Sequence, residues 1–215
     1  MTNPPAQLRP SSARKRAAIL DAAEAIFLRD GFATANMDEL AELSGVSKQT
    51  IYSHFGSKES LFVEMVSRMT GGASDRVHLD VPDPAKAEEL PGYLRRYALR
   101  QLDVVLDPRL IALRRLVIGE ASRFPDLARV FWNSGPSRAM QAMSERFARL
   151  TDLGMLGARD PDRAAASFNW LVMGSSLNAA MMLGDQAIPA ASERPQIAAE
   201  ATRVFLAAYG ANSPD

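Results

Sequence analysis

Apolar residues recur at steps of three and four along nearly the whole chain, and a sustained apolar–polar alternation of the kind a half-buried strand needs is missing. Ile19, Ala22, Ala23, Ile26 and Phe27 form one such stripe, so residues 12–30 read as an amphipathic helix stopped at Gly31. Two short helices follow, 37–44 and 47–55. Asn36 and Glu39 are placed as a capping box for the first, Gly45-Val46 as the turn between them, and Gly56 as the close of the second. Ser57 then caps a fourth helix beginning at Lys58. Gly71-Gly72 and Pro82–Pro84 read as a flexible connection. Beyond it, helical segments are expected at 85–106, 108–122, 125–153 with a kink at Gly135-Pro136, 160–184 and 193–209. Pro108, Pro125, Pro161 and Pro195 stand near the starts, where the missing N–H does least harm. The expected fold is all-α: a flexible tail over 1–11, an N-terminal three-helix helix-turn-helix module over 12–62, and a larger helical bundle over 63–215.

Composition narrows the function classes. The 25 basic and 25 acidic side chains cancel, which excludes a polycation that coats nucleic acid or an anionic membrane without selection. No cysteine is present, so thiolate metal sites, disulfides and cysteine nucleophiles are excluded, and His54 and His78 are too few and too far apart for a histidine metal site. The most apolar run, 164–183, is interrupted by Asn169, Ser175, Ser176 and Asn178 and reads as a buried helix rather than a membrane span. With no apolar core behind Arg14, Lys15 and Arg16 to make a signal peptide, the expected location is the cytoplasm. Ser12-Ala-Arg-Lys15 matches a serine–lysine hydrolase motif by letter only, because no Lys-Thr-Gly follows. There is also no phosphate-cradling glycine loop, so neither an enzyme nor a cofactor is expected.

The chemistry concentrates in Met37-Asp-Glu-Leu-Ala-Glu-Leu-Ser-Gly-Val-Ser-Lys-Gln-Thr-Ile51. Short helix, glycine turn, short helix is a helix-turn-helix layout. Ala41 is small where the second helix must cross close, and Gly45 suits a turn position of positive φ. With Ile51 turned inward, Gln49, Tyr52 and Ser53 face outward, with Lys48 and Thr50 at the margins. That face carries donors, acceptors and a cation but no carboxylate, as entry into a major groove requires. The neutral total also hides segments of opposite sign. Residues 1–20 hold four cations and no acid, 21–42 hold six acids against Arg29, and 43–58 hold Lys48 and Lys58 with no acid.

Residues 12–62, and above all Tyr52-Ser-His54-Phe-Gly-Ser-Lys58-Glu-Ser-Leu61-Phe62, resemble the DNA-binding domain of the tetracycline-repressor (TetR) family. The resemblance implies that Lys48, Gln49 and Thr50 read base edges, that Tyr52 and His54 grip the phosphate backbone, and that Lys58 holds a phosphate beside the helix N-terminus behind Ser57. Ser53 occupies a variable position of the pattern, and Asn36 is a further DNA-side candidate. Leu116-Val-Ile-Gly-Glu-Ala-Ser-Arg-Phe-Pro-Asp-Leu-Ala-Arg-Val-Phe-Trp-Asn-Ser-Gly-Pro136 resembles the C-terminal domain of the AcrR/AefR-like branch, which implies a ligand-responsive bundle.

Six of the ten methionines lie after residue 139, near several aromatic residues, a combination suited to an adaptable apolar pocket. The candidate lining is Phe131, Trp132, Met140, Met143, Phe147 and Trp170, with Met173 and Asn178 beside them. Asn169 and Asn178 serve either a ligand or a subunit interface. The expected partners are double-stranded DNA bearing a palindromic operator, a small apolar or amphipathic effector, and a second copy of the chain. That copy is expected to dock through the last two long helices, where Gly174, Ser175, Ala179 and Ala180 permit close approach. An empty apolar cavity in the bundle favours a small ligand; a solid core favours regulation by a protein.

Overall fold

The structure is a computed structural model that describes residues 10–78 and 82–211, so most of the expected tail lies outside the described residues. Its elements are α1 (Pro10–Asp30), α2 (Met37–Ser44), α3 (Lys48–Phe55), α4 (Lys58–His78), α5 (Leu90–Val105), α6 (Pro108–Glu120), α7 (Pro125–Ser134), α8 (Pro136–Asp152), α9 (Pro161–Leu183) and α10 (Arg194–Tyr209). Short 3₁₀ turns at Ala87–Glu89 and Asp185–Ala187 precede α5 and follow α9. Among the described residues, β pairing is limited to one isolated antiparallel bridge, Leu156 with Gly210, which fastens the end of α10 to the α8–α9 loop. None of the described helices is long and apolar enough to cross a membrane.

Three sequence expectations are corrected. The connection at Gly71-Gly72 is helical: α4 runs through both glycines. Glycine costs a helix interior about 1 kcal/mol relative to alanine, but Thr70, Ala73 and Val77 are buried on the same helix, and tertiary burial overrides propensity. Because α4 also passes through residue 62, the N-terminal module and the bundle share a helix. The expected kinked helix over 125–153 is two helices. Gly135 adopts φ −119°, ψ −86°, and Pro136, lacking an N–H, restarts the chain as α8. A Cβ on Gly135 would stand 3.2 Å from the Thr70 Cβ, so the break lets α4 lie close against this corner. Finally, Asn36 caps α2 by accepting the Asp38 N–H at 2.8 Å, but Glu39 does not return to it. Its carboxylate accepts from the Arg29 guanidinium at 2.8 Å, a charged donor and therefore the stronger partner.

Two apolar cores result. One gathers α5, α8, α9 and α10 around Phe147, Phe168 and Phe205, whose rings lie 5.0–5.7 Å apart. The other gathers Ile19, Phe27, Leu40, Ile51 and Phe62 of α1–α4 and continues into Leu113 and Val117 of α6 and Leu127 of α7. Two helices of the bundle are thus built into the core of the N-terminal module.

Candidate nucleic-acid interface and bundle cavity

The turn between α2 and α3 is closed by Gly45 at φ +68°, in the left-handed region. The Gly45 N–H donates to the Glu42 carbonyl at 3.1 Å and the Val46 N–H to the Ala41 carbonyl at 3.2 Å, the pattern of a Schellman close. Ser47 then caps α3 by accepting the Thr50 N–H at 3.1 Å. Ile51 is 1% exposed and anchors α3 to the core, which leaves Lys48, Gln49, Tyr52 and Ser53 exposed on one face, as the sequence predicts. Thr50 is half-buried, with its hydroxyl 2.8 Å from that of Ser47. Lys48 reaches back 3.1 Å to Asp38, an exposed pair that competes weakly with solvent or a phosphate. His54 is half-buried near the end of α3, its ring centroid 6.2 Å from that of Phe55. Arg16 lies over the Phe55 ring at 5.2 Å and pairs with Glu64, tying the start of α1 to the far end of α3.

Two of the expected DNA-side residues also hold local structure. Asn36 is committed to capping α2. The Lys58 ammonium donates to the backbone carbonyls of Ala35 at 2.8 Å and Ala33 at 3.3 Å and lies 5.4 Å over the Phe32 ring; burial holds its pKa below the ordinary lysine value. Lys58 is therefore a strut between α4 and the α1–α2 loop. Lys58→Met is expected to lower stability by about 1–2 kcal/mol, less than a fully buried charged hydrogen bond because the ammonium stays partly solvated. The salt dependence of DNA binding separates the roles: a strut leaves the slope unchanged, whereas loss of a phosphate contact reduces it by about one unit.

A cavity of about 140 Å³ lies in the bundle between α4, α5, α6, α7, α8 and α9. Phe131, Trp132, Met140, Met143, Trp170 and Met173 line it, as the sequence predicts. Phe147 and Asn178 do not. Phe147 is 2% exposed and spent on the ring cluster with Phe168 and Phe205, while Asn178 faces outward from α9. The polar groups of the wall are Gln101, Asn169, Thr70, Tyr97 and Arg114. Gln101 Nε2 donates to Asn169 Oδ1 at 2.8 Å, which puts Asn169 on the cavity side. Gln101 and Arg114 were not sequence candidates. Gln101 carried a usable signal, a polar residue inside the apolar stripe of Tyr93, Leu94, Tyr97, Ala98 and Leu102. Arg114 carried little, since Arg114-Arg115 reads as a solvated face.

The cavity and the core of the N-terminal module share a wall. Arg114 of α6 and Phe131 of α7 line the cavity, with the guanidinium 5.3 Å over the ring. From the same two helices, Leu113, Val117 and Leu127 enter the N-terminal core. Glu120 accepts the Ala33 N–H at 3.3 Å, and Phe124, just before α7, sets its ring 4.8 Å from that of Phe32. On the other side, the Glu24 carboxylate, 7% exposed on α1, takes the Arg109 Nε of α6 at 2.7 Å and lies 3.6 Å from Arg68 of α4.

Residues 19–65 match the model of the bacterial regulatory proteins of the tetR family, and residues 92–211 match that of the AefR-like transcriptional repressor C-terminal domain. The HTH-type transcriptional repressor NicS of Pseudomonas putida is 31% identical over 96 residues, covering 43% of this chain and 45% of NicS. The HTH-type transcriptional activator FasR of Mycolicibacterium smegmatis is 41% identical over 54 residues, 25% of each chain. The chain thus matches less than half the length of these curated relatives. Among solved structures, a TetR-family transcriptional regulator from Mesorhizobium loti aligns with a TM-score of 0.80 at 31% identity, over 94% of this chain and 100% of that one. The flavonoid-responsive regulator FrrA aligns with a TM-score of 0.76 at 30% identity, over 94% and 100%. These relatives are transcriptional regulators rather than enzymes. With one model matching the reading head, a second covering more than half of the chain, and an exposed α3 face set on a glycine turn, the chain belongs to the tetR family of DNA-binding transcriptional regulators and carries an AefR-like C-terminal domain.

Proposed function

We propose that this chain is a repressor that binds a palindromic operator as a homodimer and leaves it when a small apolar or amphipathic molecule occupies the bundle cavity. Residues 12–62 act as the DNA-binding unit and 63–215 as the ligand-binding and dimerisation unit. The observation that carries the reading is the shared wall: α6 and α7 line the cavity with one face and build the N-terminal core with the other. A ligand that is held better by one arrangement of these helices shifts the module with them, by no more than its difference in affinity for the two states. The presence of a cavity rather than a solid core supports a small effector over a protein one. The names of NicS, a repressor, and FrrA, a flavonoid-responsive regulator, agree with both halves of the proposal.

The second copy docks through α9 and α10, and the outer face of α9 leaves Trp170, Leu171, Met182 and Leu183 40–77% exposed in the isolated chain. Gly174, Ser175 and Ala179 lie partly or wholly on the accessible side, and Asn178 is exposed there; Ala180 is fully buried in its own subunit. Two recognition helices related by a two-fold axis then read successive major grooves. Titrating operator DNA with the purified chain, with and without an effector, tests the whole reading.

Within α3 the roles divide. Gln49→Ala is expected to relax base preference at one position of each half-site by about 1–3 kcal/mol. Tyr52→Ala is expected to weaken operator and random DNA alike. Competition gel shifts against singly substituted sites distinguish them, and equal patterns from the two variants contradict the division.

A further inference from the structure

The cavity has features that specify the chemical class of its occupant, given the reading of the bundle as an effector site. Its volume, about 140 Å³, is close to that of an engineered protein cavity that holds one benzene molecule. It accommodates one ring without expanding the bundle. Tyr97, Phe131, Trp132 and Trp170, together with Met140 and Met143, give the wall ring faces and thioethers suited to an aromatic guest.

Two polar groups of this wall are open to a guest. Arg114 is half-buried, stacks on Phe131 at 5.3 Å, and among the described residues has no carboxylate. Its neighbour Arg115 shows the contrast, holding Asp185 at 2.9 Å and the Ala180 carbonyl. A planar guanidinium without a counter-ion finds its best geometric complement in a carboxylate. Gln101 is 3% exposed; with Nε2 given to Asn169, its Oε1 is buried without a donor. An acceptor left dry in this way carries a desolvation penalty that a guest's hydroxyl group removes. A hydroxyl also serves either orientation of the amide, because it both donates and accepts.

We propose that the effector is a single-ring aromatic carboxylate bearing a hydroxyl group, of the hydroxybenzoate or hydroxycinnamate kind. Its carboxylate pairs with Arg114, its hydroxyl meets Gln101, and its ring fills the space against Phe131 and the thioethers. Such a ligand supplies a counter-ion to Arg114 and a donor to Gln101 at once, so it is selected over compounds that satisfy only one of them.

The test is calorimetric titration of the full chain with 4-hydroxybenzoate and 4-hydroxycinnamate, with 4-hydroxybenzamide, benzoate, decanoate and flavone as comparators. A hydroxy acid is expected to bind at least tenfold more tightly than the neutral amide and than benzoate. Arg114→Met should erase the preference of acid over amide, and Gln101→Leu the preference for the hydroxyl, with thermal melts of the ligand-free variants confirming that both fold. Equal binding of acid and amide, a preference that survives Arg114→Met, or no binding of either hydroxy acid at millimolar concentration overturns the proposal. Operator binding is followed in parallel. If decanoate or flavone alone releases the operator, the ligand class is wrong and the regulatory reading stands. If a hydroxy acid binds but no DNA is selected, the ligand class stands and that reading falls.

Discussion

Phe32→Ala is expected to cost about 3–5 kcal/mol of unfolding free energy, the range for truncating a large buried aromatic side chain. Phe32 is 2% exposed, with ring centroids 5.8 Å from Phe27, 5.0 Å from Phe62 and 4.8 Å from Phe124, so its ring joins α1, α4 and the segment leading into α7. Lys58 lies over the same ring while holding the carbonyls of Ala33 and Ala35, and Glu120 accepts the N–H of Ala33. Removing the ring empties the point where loop, reading head and bundle meet, and the backbone bonds on either side limit collapse into the space. Urea denaturation measures the loss. A change below about 1 kcal/mol, the scale of an ordinary surface substitution, contradicts a load shared through this ring.

Gly45→Val is expected to abolish most of the selectivity for operator over random DNA, a loss of ten- to a hundredfold, while Gly45→Asn stays close to the parent. The reason is conformational rather than steric. A Cβ at this position meets nothing within 4 Å, yet the residue sits at φ +68°. A β-branched side chain strongly resists that region, at a cost of about 1–3 kcal/mol, whereas asparagine enters it readily. The strain is relieved by opening the turn, which breaks the bonds from Gly45 to Glu42 and from Val46 to Ala41 and rotates α3 away from the groove. Electrostatic attraction to random DNA survives, because no charge has been removed. A valine variant that selects operator as the parent does contradicts this account of the turn.

Local signals made the reading head legible in the sequence. Gly45 and Ser47 bracket the turn with residues whose backbone preferences admit few alternatives, and Ile51 fixes which face of α3 looks outward. The methionine and aromatic clustering likewise located six residues of the cavity wall. Where the sequence reading departed from the structure, tertiary contact outweighed local preference. Gly71-Gly72 reads as a break, but burial of Thr70, Ala73 and Val77 carries α4 through it. The bonds of the Lys58 ammonium to two carbonyls of a loop 23 and 25 residues earlier in the chain carry no local sequence signal. Phe147 has the composition of a pocket residue, and only the packing of α8 against α9 and α10 shows that its ring is used in the core. The placement of Arg114 over Phe131 at the cavity is a relation between helices, invisible in the adjacent arginines of α6.

The most direct test of the central claim is selection from a random double-stranded DNA pool by the purified full chain at moderate salt, followed by footprinting of the enriched sequence and titration of an effector. A two-fold symmetric site is expected to be enriched, its half-sites protected together, with the enrichment lost in Gly45→Val and the DNA released by ligand. A chain that enriches no sequence above the starting pool, at any salt concentration at which it remains folded, contradicts that claim.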